Sequence, residues 1–152
     1  LNLKRNILCS FVGRVDTHFC RFLLYNKLGR NKDFKFVNSV GFETYRNILN
    51  SSIFTLAPRG FGFTSFRLYE AIFAGSIPIY VWYDKLCLPF NDELDWNKFS
   101  IVIHSDDIDT LPKILEDCNI SEMQNELEKV RNNFTFQSTL EYIKRKLMKI
   151  SI

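Results

Sequence analysis

Apolar residues follow two alternating rhythms along this chain: short continuous runs, and longer stretches with helical spacing. The run ILCSFV at 7–12 reads as a buried strand that ends at Gly13-Arg14. DTHFCRFLLYNKL at 16–28 has helical spacing, with Asp16 or Thr17 as its cap and Gly29 as its stop. A second strand is expected at FKFV (34–37), a second helix at FETYRNILNS (42–51) and a third strand at IFTLA (53–57). A helix over about 65–74 ends at Gly75 with Pro78 just beyond, the expected C-terminal punctuation. Strands follow at IPIYVW (77–82) and FSIVIHS (99–105), and helices over about 107–117, 121–132 and 136–149. Alternation of apolar strands with helices is the mark of an α/β, doubly wound, mostly parallel sheet. Ligands of such sheets lie at the carboxyl ends of the strands, against helix N-termini.

Composition narrows the classes. A chain of 152 residues makes one domain with room for a core. Its 15 Phe point to a large core rather than a stacking surface. A net charge of +3 is too mild for a nucleic-acid binder, but a small anion needs only a few local cations. Cys9, Cys20, Cys87 and Cys118 form no CxxC pair, and His18 and His104 stand at no ligand-like spacing to them, so buried free thiols are expected and no metal site. No stretch approaches the ~20 apolar residues of a membrane span. The opening LNLKRNILCSF has neither an initiator Met nor a signal peptide and reads as part of a longer protein. The basic run KRKLMK (144–149) reads as the solvated face of the last helix.

The candidate chemistry sits at 58–70. Pro-Arg-Gly-Phe-Gly-Phe-Thr-Ser (58–65) joins a strand end to a helix start. Gly60 and Gly62 let the backbone bend and a ligand approach, and Thr64 and Ser65 are natural N-cap residues. The free N–H groups and partial positive charge of a helix N-terminus suit an anion. Most helices carry Asp or Glu in the first turn, whereas this one carries Arg67, with Arg59 just upstream. Two guanidiniums there repel each other unless a phosphate or diphosphate sits between them. Glu70 follows one turn after Arg67 on a helix that reads as largely buried. Two partners are open to it: Arg67 in an i,i+3 ion pair, or the paired hydroxyls of a ribose. Neither a P-loop nor GxGxxG is present.

At this stretch the chain resembles the exostosin family of GT47-type glycosyltransferases. The matching residues are Phe54, Leu56, Pro58, Arg59, Gly60, Ser65, Arg67, Glu70, Ala71, Gly75, Ile77 and Pro78. The likeness continues through Leu88-Pro89-Phe90, Leu94-Asp95-Trp96, Phe99-Ser100 and the helix of Leu111, Ile114 and Leu115. Upstream, Phe11-Val12-Gly13-Arg14 and Tyr45 to Ser52 fit as well, so residues 9–118 are covered. Ala57 and Ser76 stand where family members often have Cys.

What this resemblance implies is a Rossmann-like domain, the donor-binding C-terminal half of a two-domain GT-B glycosyltransferase. Arg59, Gly60, Gly62, Thr64, Ser65 and Arg67 would hold the diphosphate and Glu70 the ribose, with Gly13 and Arg14 closing over the phosphates. Trp82 to Asp84 would line the sugar side. The implied reaction is inverting transfer from a nucleotide diphosphate sugar, a UDP-sugar by expectation, to a glycan or other hydroxyl acceptor. The implied partners are the nucleotide-sugar donor, a glycan acceptor and an N-terminal acceptor-binding domain outside this chain. No cofactor or metal is expected, since arginines and the helix N-terminus would stabilise the leaving group. Asp106-Asp107-x-Asp109 is read as helix capping rather than a metal-chelating DxD. No residue stands out as general base, His18 and His104 being candidates with core or surface roles open. A GDP-sugar enzyme of fucosyltransferase type and a non-catalytic nucleotide- or carbohydrate-binding module remain alternatives. The family expectation for compartment is the Golgi or secretory lumen through an anchor outside this chain, with the cytoplasm as alternative.

Overall fold

The structure is a computed structural model that describes residues 5–150. The first four residues of the opening segment and the last two of the chain lie outside the described residues. Strands β1 (Ile7–Val12), β2 (Phe34–Val37), β3 (Ser52–Pro58), β4 (Ile77–Trp82) and β5 (Ile101–His104) form one sheet in the order β2-β1-β3-β4-β5. Every neighbouring pair is parallel. Helices α1 (Phe19–Leu28), α2 (Phe42–Ser51), α3 (Phe66–Ala74), α4 (Leu111–Asp117), α5 (Ile120–Val130) and α6 (Phe136–Ile150) connect and cover the strands. The fold is Rossmann-like α/β. The chain steps outward from β1 to β2, then returns past β1 to build β3, β4 and β5. That reversal opens a crevice at the carboxyl ends of β1 and β3, where sheets of this kind take ligands.

Strand alternation feeds two cores. Leu56, Ile79 and Val81 face one layer with Cys20, Leu24 and Leu28 of α1 and with Leu111 and Leu115 of α4. Their neighbours Ala57 and Tyr80 face the other layer with Leu68 and Ile72 of α3, Leu127 of α5 and the aromatic group of Phe90, Trp96, Phe99 and Phe134. Because both faces are covered, β3 and β4 are apolar along their length, as parallel strands generally are. Arg5 ties the far end of the sheet together, donating to the carbonyls of Ser52 and Ala74 at 2.6 Å each and so satisfying the last turn of α3. Gly75, at φ 68°, ends α3 in the left-handed region.

Several local expectations are corrected. Helix α1 starts at Phe19 rather than 16, because the imidazole of His18 caps it by accepting from the Cys20 N–H at 3.1 Å. Asp16 is instead held by Arg14 at 2.7 Å. The aspartates at 106, 107 and 109 do not cap α4. A 3-10 turn over Ser105–Thr110 begins before them and is itself capped by His104, leaving Asp109 to pair with Lys27. Strand β5 is shorter than expected, since a 3-10 turn at Trp96–Lys98 precedes it.

The expectation that the Phe residues would fill the core also fails in large part. Phe19, Phe22, Phe42, Phe61, Phe63, Phe66, Phe73 and Phe136 are exposed, eight of the 15. Phe19, Phe42, Phe61, Phe63 and Phe66 belong to the loops and helix starts that follow strand ends and are exposed there instead of facing inward, Phe66 lining the crevice itself. Of the cysteines, Cys9 and Cys20 are buried, Cys118 is partly so and Cys87 is exposed. No helix among the described residues is long and apolar enough to cross a membrane.

Candidate functional site

The crevice is shaped by contact between the end of β1 and the start of α3. Gly13 sits at φ 146°, a conformation that other residues avoid, and a Cβ there would fall on the Arg67 guanidinium. Arg67 lies over the Phe11 ring at 5.1 Å and donates through Nε to the Val12 carbonyl. Ser65 caps α3, its hydroxyl accepting from the Arg67 N–H at 3.3 Å. The result is an open groove of about 460 Å³, lined by Gly13, Arg14, Tyr45, Phe66, Arg67 and Glu70 and closed at the β2 end by residues 38–40.

Glu70 is exposed, contrary to the buried helix expected from the sequence. Helix α3 buries only the stripe of Leu68, Ala71 and Ile72, which turns Phe66, Glu70 and Phe73 outward. The i,i+3 ion pair does not form. Arg67 reaches back to β1, while Glu70 accepts from the Tyr45 hydroxyl on α2. Burial, and then that bond, raise the Tyr45 hydroxyl's pKa above its ordinary value. Arg67 and Glu70 therefore present separate charges to one groove, a cation on the β1 side and a carboxylate beside α2.

Arg21 belongs to the same machinery, and sequence reasoning missed it. It is buried, although it lies on α1 among Cys20, Leu24 and Leu28. Its Nε donates to the Arg59 carbonyl at 2.9 Å and one terminal nitrogen to the Arg14 carbonyl at 3.2 Å, tying the loops after β1 and β3 together. Its guanidinium shares the Phe11 ring with Arg67, at 5.6 Å. Burial and then the neighbouring Arg67 lower its pKa to about 10. Gly60 packs against it, for a Cβ there would come 2.7 Å from the guanidinium. The signal was legible in form: an arginine on the apolar face of a helix, the same feature that drew attention to Arg67.

The remaining expected residues divide. Gly13, Arg14, Arg67 and Glu70 line the groove together. Arg59 does not join them. It is buried, lies 4.8 Å from the Phe63 ring, and pairs with Asp84 on the loop after β4. Arg59 thus faces an internal carboxylate, whereas Arg67 turns to the Val12 carbonyl and the Phe11 ring. Gly62 is exposed and loosely surrounded, and Thr64 bonds the Cys87 carbonyl at 2.7 Å instead of capping α3. Tyr80 fixes this rim from beneath, its hydroxyl donating to the Phe63 carbonyl and accepting from the Cys87 N–H at 3.0 and 3.2 Å. His18 stands beside Tyr83, their rings 5.7 Å apart, and His104 packs on Trp82 at 4.4 Å. Each uses Nδ1 to accept a backbone N–H. Burial, then the charge of Arg59, lowers the pKa of His18.

Comparison with known proteins agrees with this architecture. The chain matches the exostosin GT47 domain over residues 1–118. A probable glycosyltransferase of Arabidopsis thaliana is 28% identical over 139 residues, covering 89% of this chain and 27% of that protein. An exostosin-1 homolog of Caenorhabditis elegans is 33% identical over 58% of this chain and 23% of its own length. A probable glucuronoxylan glucuronosyltransferase of Arabidopsis thaliana is 30% identical over 76% of this chain and 25% of its own length. The chain thus spans about a quarter of the length of the curated relatives it matches. Among solved structures, the pneumococcal O-GlcNAc transferase GtfA in complex with UDP and GlcNAc superposes with a TM-score of 0.56 over 97% of this chain and 36% of that one, at 11% identity, a likeness of fold. With a five-stranded parallel Rossmann-like sheet and a family match that spans most of its length, the chain belongs to the exostosin GT47 family.

Proposed function

We propose that this domain binds the nucleoside diphosphate portion of an activated sugar, a UDP-sugar by preference, and serves as the donor-binding part of a glycosyltransferase. The observation that carries this reading is the pair Arg21 and Arg67. Both guanidiniums sit at the sheet's reversal point, spend their bonds on backbone carbonyls, and among the described residues face no carboxylate in an ion pair. Cations so placed, beside the N-terminus of α3, lack an anion that a phosphate supplies. Glu70, one turn along, has the chemistry to accept both hydroxyls of a ribose, with Tyr45 aligning its carboxylate.

In the reaction, an acceptor hydroxyl attacks the anomeric carbon from the face opposite the diphosphate. The bond to the diphosphate oxygen breaks, its electron pair leaves with the nucleotide, and the configuration inverts. The hydroxyl proton passes to a base that we place outside this groove, on the further domain that the relatives' length leaves room for. Arg21, Arg67 and the helix N-terminus stabilise the leaving charge without a metal. The exposure of Phe19, Phe42, Phe61, Phe63 and Phe66 at the carboxyl ends of the strands supports a covering surface on this side, either that domain or a glycan acceptor.

The test is calorimetry of the wild-type chain, Arg67→Ala and Glu70→Ala against UDP- and GDP-sugars. Binding of UDP-sugars that falls at least about tenfold in either variant is the expected result. Preference for GDP-sugars would shift the reading to a fucosyltransferase-type donor. Binding by wild type and both variants alike would refute the site. Loss of transfer by Glu70→Ala in the full-length protein separates an enzyme from a binding module.

A further inference from the structure

One feature of the site is not explained by a diphosphate alone: Arg59 already has an anion. Its guanidinium pairs with Asp84, while its Nε is buried and has no hydrogen-bond partner among the described residues. A guanidinium that satisfies only part of its donor set in a buried place holds capacity for a further oxygen. The two partners are unequally anchored. The Arg59 side chain is 11% exposed and packed on Phe63, whereas the Asp84 side chain is 51% exposed on the loop after β4. When the pair opens, Asp84 is the member that can move into water, and Arg59 stays. Arg59 is also coupled to the groove, because its carbonyl is held by Arg21, which stands with Arg67 about Phe11.

We infer that Asp84 is a specificity residue of this site, standing in on Arg59 for the second phosphate of a nucleoside diphosphate. The inference rests on the proposed nucleotide site and adds to it a distinction between ligands. Arg67 on the groove, with the buried Arg21 beside it about Phe11, serves the phosphate nearest the ribose and makes no demand on Asp84. A second phosphate reaches Arg59 and takes the place of the Asp84 carboxylate, which swings outward. A monophosphate leaves the Arg59–Asp84 pair closed. Lys85, beside Asp84 and 5.4 Å from the Phe63 ring, is placed to accept the displaced carboxylate or the incoming charge.

The experiment compares UDP and GDP with UMP and GMP by calorimetry on the wild-type chain, Asp84→Asn, and Asp84→Asn combined with Arg59→Lys. Asp84 is on the surface, and a thermal melt verifies that the single variant folds. Removing the internal competitor is expected to tighten the bound diphosphate about three- to tenfold and to leave the matching monophosphate within about twofold. Adding Arg59→Lys is expected to cancel the gain. If Asp84→Asn leaves diphosphate affinity unchanged or weakens it, the inference is overturned while the nucleotide site stands. Equal tightening of mono- and diphosphates overturns it too, since that is a diffuse charge effect. If the wild-type chain binds none of the four nucleotides, the proposed site itself fails and takes this inference with it.

Discussion

Replacing Gly13 with alanine strikes the contact on which the groove depends. Two costs arise from the geometry. The backbone at φ 146° is strained for a residue with a Cβ, at about 1–3 kcal/mol. The new methyl group also occupies the place of the Arg67 guanidinium, which must leave the Val12 carbonyl and the Phe11 ring. A hydrogen bond from a charged donor is worth about 1.5–3 kcal/mol, and a cation over an aromatic face about 0.5–1 kcal/mol. Arg67 is only half buried, so the lower ends apply and the displacement costs about 2 kcal/mol. In an Arg67→Ala background the second cost has already been incurred, and only the backbone strain remains.

The two substitutions should therefore be non-additive, the double variant being about 2 kcal/mol more stable than the sum of the singles. Urea unfolding of the four proteins in the cycle measures this, and calorimetry with UDP should show the single Gly13→Ala variant losing about tenfold or more in affinity. Additivity within about 0.5 kcal/mol would refute the steric coupling of Gly13 to Arg67. A Gly13→Ala variant that keeps both its stability and its nucleotide affinity would refute the account of the groove.

Three further outcomes are expected. Arg21→Met strands the Arg59 and Arg14 carbonyls, so it should cost about 2 kcal/mol in urea unfolding and weaken UDP binding, whereas an unchanged midpoint would deny Arg21 its role as a tie between loops. Ser65→Ala should cost about 1 kcal/mol through the lost α3 cap, and restoration by Ser65→Asp but not by Ser65→Val would identify the capping oxygen as the cause. His18 has a folded pKa below its ordinary 6.5, so it favours the fold fully above 6.5 and progressively less as pH falls through the lower folded value. Its protonation would also turn the Nδ1 acceptor of the α1 cap into a donor, so thermal midpoints should drop faster below pH 6.5 in wild type than in His18→Asn, and parallel curves would contradict this.

Where elements lie could be read from the chain alone, because strand and helix periods are local properties. FKFV, FETYRNILNS and IPIYVW became β2, α2 and β4 at the expected bounds, and Gly75 with Pro78 marked the end of α3. The Arg67 and Glu70 positions were legible for the same reason: a charge on an apolar helix shows in a single turn of sequence. Which charges meet was not legible, because that depends on loops brought together from distant strands. Asp84 lies 25 residues from Arg59 and claims it, Tyr45 lies 25 residues from Glu70 and aligns it, and Arg21 reaches 38 residues to the Arg59 carbonyl. The exposure of so many Phe residues was hidden by the same limit, since residue type states a preference for burial but only the tertiary structure decides which loops and helix faces stay uncovered. Local spacing thus determined the strands, the helices and the presence of an arginine in the first turn of α3. Tertiary structure alone decided the partners, since a guanidinium's charge is satisfied through space by whichever acceptor the fold brings within reach.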